Sequence, residues 1–138
     1  MSTSRSAASR PQIHMIDQEA DKLSDLALGI EHRFPQVSEL LIRETSRAKL
    51  HSGSKIPTDV VTMGSSVEFL DEGTGASRTV QLVYPPEADI SAGRISILTP
   101  VGAGLIGLRE GQSILWPDRE GQERRLTIIK VNQLQPAS

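Results

Sequence analysis

Four groups of residues in this chain have types and spacings that could do chemistry. Residues 102–107 read Gly-Ala-Gly-Leu-Ile-Gly, a G-x-G-x-x-G string after an expected strand. In a dinucleotide fold such a turn brings backbone amides against a pyrophosphate at a helix N-terminus. That use requires a crossover helix within a unit of roughly 30 residues. Here Glu110-Gly111 is expected to end the helix after about two turns, and Pro100 separates strand from glycines. The string therefore reads as close packing of a short helix, with Gly102, Ala103 and Gly104 permitting the approach. Asp17, Asp21 and Asp25 repeat at four-residue intervals, an acidic stripe suited to solvent or to a basic surface. Glu31-His32-Arg33 offers one carboxylate beside a cation, whereas metal-assisted hydrolysis needs several hard oxygen ligands gathered together. His14, His32 and His51 lack the i, i+4 spacing or the cysteine partner of a zinc site and are expected on the surface or in a linker. With no cysteine and no G-x-S-x-G elbow, nucleophilic catalysis has no foothold. No metal and no cofactor is expected.

The elements that must carry these residues follow from periodicity. Ile16, Ala20, Leu23, Ala27 and Ile30 fall on one helical stripe. Gly29 and Phe34-Pro35 interrupt it, and Pro35 opens a second helix with Val37, Leu40, Leu41 and Ala48 on its apolar side, running to about residue 50. Two helices joined by so short a turn lie antiparallel, as a coiled-coil-like hairpin. The expected organisation is a disordered tail over residues 1–12, the hairpin over 13–51, a polar linker over 52–58 and a second domain over 59–138. In that domain the period becomes strand-like at residues 67–70, 78–84, 94–98, 113–116 and 123–134, with turns at Gly73-Thr74-Gly75 and residues 118–122. A two-turn apolar segment covers residues 101–108. The predicted class is α+β, a helical hairpin followed by a mainly antiparallel sheet with one short helix.

Bulk properties narrow the function. A net charge of −2 argues against a generic grip on nucleic acid through many phosphate contacts, so no direct sequence-specific nucleic-acid partner is expected. No apolar run approaches the ~20 residues that cross a bilayer, and the polar first ten residues do not read as a secretory signal. A cytoplasmic protein without a membrane partner is expected, and the closed small-domain plan favours a monomer.

Between residues 87 and 116 the motifs run in a recognisable order. An acidic Glu87-Ala88-Asp89 leads into Gly93-Arg94-Ile95-Ser96, then a Thr99-Pro100 turn, the apolar Leu105-Ile106-Gly107-Leu108 segment, a Gly111-Gln112 strand opener and Ile114-Leu115-Trp116. Asp59-Val60-Val61-Thr62-Met63 and Val83-Tyr84-Pro85 precede them. Over residues 12–134 the chain resembles the GreA/GreB transcription-factor family, and in particular its short, Rnk-type branch (regulators of nucleoside diphosphate kinase). The resemblance implies an FKBP-like second domain and a bacterial RNA polymerase partner. It implies that Leu98, Thr99, Pro100 and Val101 dock on the β′ rim helices of the secondary channel, with Glu31, His32 and Arg33 at the hairpin tip that enters it. Cleavage factors of the family carry two acids at the tip and longer arms. This chain, with one carboxylate on short arms, is expected to compete with them without stimulating transcript cleavage and without being an enzyme. Two alternatives follow from the same resemblance: a cleavage factor acting through the tip, or an FKBP-like peptidyl-prolyl isomerase. The second needs an aromatic pocket, and Phe69, Tyr84 and Trp116 are the only rings on hand there.

Overall fold

The computed structural model describes residues 12–117 and 123–133. The expected tail up to residue 11, the turn at 118–122, Leu134 and the ring of Trp116 lie outside the described residues. The chain begins with a short strand, β1 (His14–Ile16), and continues into helix α1 (Asp17–Gly29). Helix α2 (Pro35–Arg47) returns antiparallel and leads into β2 (Lys49–His51), which pairs in parallel with β1. The second arm thus stops at Arg47 and not near residue 50. Residues 49–51 are drawn into an extended ladder with a segment 35 positions away in register, His14 facing Lys49. That pairing has no signature in local periodicity.

Within the hairpin Ala20, Leu23, Ala27 and Ile30 are buried as the spacing requires, opposite Val37 and Leu41. Two polar residues join that seam. Ser38 donates to the Ala27 carbonyl at 2.8 Å, and the buried Glu44 accepts from Arg47 at 2.7 and 3.1 Å. Pro35 occupies the first helical turn, where its missing N–H costs no helical bond.

The sheet contains β3 (Ser66–Asp71), β4 (Ala76–Val83), β5 (Arg94–Ser96), β6 (Ser113–Pro117) and β7 (Glu123–Asn132) in the order β5-β4-β3-β7-β6. All pairs are antiparallel except β4 with β5. Val67 and Phe69 on β3 point inward by strict alternation. On β7, Leu126 and Ile128 point inward, and a bulge opposite Glu68 and Phe69 then shifts the phase so that Val131 faces the core and Lys130 does not. Ala103 and Leu105 of helix α3 (Pro100–Leu105) are buried in the same apolar cluster as these inward strand residues. The helix is one turn shorter than the apolar run suggests, because Gly107 takes φ +85° and turns the chain away. β5 likewise ends at Ser96, leaving Ile97 in the core and Leu98 in the turn that follows.

One continuous apolar core runs through both parts, from Leu23 and Leu41 of the hairpin to Leu105, Leu108 and Ile128 of the sheet domain. Residues 52–58 follow β2, and of them only Ile56 is buried. Polar bonds reinforce the attachment. The Gly107 carbonyl accepts from His14 N–H at 3.0 Å, and the Gly107 N–H donates to the Val61 carbonyl at 2.9 Å. Glu19 on α1 accepts from Met63 N–H at 3.1 Å, and the Lys22 ammonium sits 4.5 Å above the Tyr84 ring. Burial raises the Glu19 carboxyl above its usual range, against the opposing effects of the Met63 N–H and Lys22. Burial, aided by Glu19 and Glu87, pushes the Tyr84 hydroxyl up to about 12. A raised carboxyl means that folding favours the protonated form. Its stabilising contribution is complete at low pH and is lost as pH rises through the folded-state value. Glu19→Gln, which keeps an acceptor for Met63, is therefore expected to raise the thermal midpoint at pH 7, with the gain vanishing below about pH 4, near the usual carboxyl range. A variant less stable than wild type at pH 7 would show that the charge contributes more than its burial costs.

Candidate partner-docking site

The turn between β5 and α3 is assembled from the bottom by Ser96 and Thr99. Thr99 is the N-cap of α3. Its hydroxyl accepts from Gly102 N–H at 3.0 Å and donates to the Ser96 carbonyl at 2.8 Å. Thr99 N–H reaches the same carbonyl at 3.0 Å, and Leu98 N–H donates to Ser96 Oγ at 2.9 Å. The hydroxyls of Ser96 and Thr99 are thus spent on the turn itself. What remains outward is apolar: Pro100 is exposed at the first helical position, flanked by half-buried Leu98 and Val101. The Thr-Pro pair is a readable helix start. The part played by Ser96 is not readable, since it depends on how closely α3 lies against β5, whereas the small Gly102 is expected from the sequence to permit a close approach. A Cβ on Gly102 would stand 2.4 Å from the Ser96 carbonyl oxygen and 3.1 Å from Leu82 Cδ1. This is the close approach that the small residues of the G-x-G-x-x-G string permit.

The other group sits at the hairpin tip. Arg33 and Phe34 N–H donate to the Ile30 carbonyl at 2.9 and 2.8 Å, closing a tight turn. Glu31, His32 and Arg33 are all exposed, and the Arg33 guanidinium lies 5.3 Å from the centre of the Phe34 ring. A shallow groove beside the tip is lined by Glu31, His32, Pro35, Ser38, Glu39 and Arg43. Its second carboxylate, Glu39, is engaged by Arg43 at 3.3 Å. Among the described residues no group of three His, Cys, Asp or Glu side chains could hold a metal ion. Each helix has 13 residues, so the arms extend only about 20 Å at 1.5 Å per residue. Among the described residues the two candidate rings of this domain do not gather into a pocket either: Phe69 is buried in the core, and Tyr84 is covered by Lys22.

His14 and His51, distant in sequence and expected in unrelated surface positions, prove to be in contact. His14 Nδ1 and His51 Nε2 are 3.0 Å apart across the β1–β2 ladder. Burial lowers the His14 imidazole below its usual range, with His51, Arg109 and Lys49 acting in the same direction and Asp59 against them.

A short helical hairpin seated on an FKBP-like sheet, with an apolar proline turn leading into a one-and-a-half-turn helix, defines a Gre-type protein. The family model for "Transcription elongation factor, GreA/GreB, C-term" matches residues 56–133. The chain belongs to the GreA/GreB family. It is 35% identical over 123 residues to the regulator of nucleoside diphosphate kinase of Escherichia coli (strain K12), covering 89% of this chain and 90% of that protein. It is 36% identical over 118 residues to the transcription elongation factor GreA of Azorhizobium caulinodans, covering 80% and 75%. A solved GreA/GreB elongation factor from Nitrosomonas europaea superposes with a TM-score of 0.71 at 37% identity, covering 88% of this chain and 98% of that one.

Proposed function

We propose that this chain is a cytoplasmic, non-catalytic regulator of transcription that binds bacterial RNA polymerase. Residues 59–138 dock at the rim of the secondary channel through Leu98, Thr99, Pro100 and Val101. Residues 13–51 present Glu31, His32 and Arg33 at the channel mouth, so that the protein competes with Gre factors without stimulating transcript cleavage. The observation that carries the reading is Pro100, an exposed ring on a turn whose Ser96 and Thr99 hydroxyls are already bonded internally. Such a corner loses little entropy on immobilisation and offers apolar area to the centre of an interface. The single carboxylate of the tip, on arms of about 20 Å, supports occupancy over chemistry.

Because Thr99 holds the turn together, the informative substitution is at Pro100. Pro100→Glu places a charge at the proposed interface centre while suiting the positive end of α3. Pull-down on purified core polymerase is expected to retain the wild type, to release it when a Gre factor is added, and to lose the variant at least tenfold, about 1.4 kcal/mol. Equal retention of the variant removes the turn from the interface. Magnesium-dependent shortening of RNA in stalled complexes would instead make the protein a cleavage factor.

A further inference from the structure

The joint between hairpin and sheet domain contains a titratable contact that polymerase docking does not use. His14 and His51 meet nitrogen to nitrogen at 3.0 Å, with ring centres 5.1 Å apart and planes 36° from parallel. Each is half-buried. They lie on the two strands that close the hairpin base, where Lys49 N–H donates to the Ile13 carbonyl at 2.9 Å and His14 N–H to the Gly107 carbonyl at 3.0 Å. When both rings are neutral, one donates its N–H and the other accepts. A first added proton is compatible with this, because an imidazolium N–H still donates to a neutral ring. A second is not: both nitrogens then carry hydrogens that face each other, and the two charges repel.

The surroundings do not relieve that repulsion. The charged groups facing His14 are Lys49 from β2, directly opposite it in register, and Arg109 and Asp59 from the segments beside the joint. Asp59 is already bound to Arg109 at 3.0 Å. Two converging imidazoles could also take a divalent cation, but two cationic neighbours and the lack of a third ligand among the described residues disfavour one.

We propose that the His14–His51 pair is an acid-sensitive latch whose double protonation loosens the β1–β2 ladder and with it the attachment of the hairpin to the sheet domain. The sign follows from linkage. A histidine held below its ordinary value contributes stability that is complete above pH ~6.5 and is lost as pH falls through the folded-state value. The inference does not depend on polymerase binding.

Amide hydrogen exchange on the full chain tests it, with rates normalised to the intrinsic rate at each pH. Reporters are the amides of His14 and Lys49. References are those of Leu82 and Ile97, which bond to the Ser65 and Val83 carbonyls within the sheet domain. Between pH 7.5 and 4.5 the reporters are expected to lose protection relative to the references. In His14→Gln combined with His51→Gln, which keeps amide hydrogen bonding and removes titration, the ratio should stay flat. An unchanged ratio in the wild type overturns the latch, and so does an equal fall in the double variant. Imidazole nitrogen shifts of the wild type give a second readout that needs no substitution. Both rings must finish protonating in the window where protection falls, and a fall complete before the second ring titrates refutes the proposal.

Discussion

Gly102→Ala is expected to destabilise the fold by roughly 2–3 kcal/mol, within the usual range for overpacking a closed site. Helix propensity alone gives the opposite sign, since alanine in a helix is favoured over glycine by about 0.8–1 kcal/mol. The surroundings decide the outcome. The new methyl group would stand 2.4 Å from the Ser96 carbonyl oxygen, a backbone atom, and 3.1 Å from a methyl of Leu82. Leu82 is completely buried, and the Ser96 carbonyl is held by two bonds from Thr99. Neither neighbour can retreat without opening the turn that presents Pro100. Urea denaturation measures the change. A variant as stable as wild type would mean that α3 does not lie as close to β5 as it stands here.

Gly107→Ala is expected to cost about 3 kcal/mol, combining left-handed backbone strain of ~1–2 kcal/mol with a steric clash. Gly107 has φ +85°, and a Cβ there would meet Ile13 Cβ at 2.9 Å and the His14 carbonyl at 3.0 Å. Ile13 is fully buried, and Gly107 bridges the hairpin strand to Val61 through its carbonyl and N–H. Gly111 provides the control, with φ +88° and nothing within 4 Å of its added Cβ. Gly111→Ala should show the backbone term alone, about 1–2 kcal/mol. The difference between the two urea midpoints isolates the packing of the N-terminal strand against the sheet domain. Equal losses in the two variants would mean that this packing contributes nothing.

How much of this was legible beforehand varies with the range of the interaction responsible. The hairpin stripe, the Pro35 helix start, the Thr99-Pro100 cap and the alternation of Val67 and Phe69 are local patterns, each readable within a few residues because backbone geometry repeats at 3.6 or 2. The ordered motifs from Glu87 to Trp116 likewise pointed to the Gre family, to which the chain belongs. The bulge on β7 was not legible, since its only trace is an inward phase that moves from Ile128 to Val131.

The same distinction separates what the sequence determined from what required the tertiary structure. Amino-acid order by itself established an α+β chain with a short hairpin, a proline turn and no acidic pair at its tip. The parallel β1–β2 ladder, the burial of Ile13 against Gly107 and the contact of His14 with His51 were decided only in three dimensions. Each joins residues many positions apart whose side chains carry no local periodic signal. Their meeting depends on where the shared core seats the hairpin on the sheet.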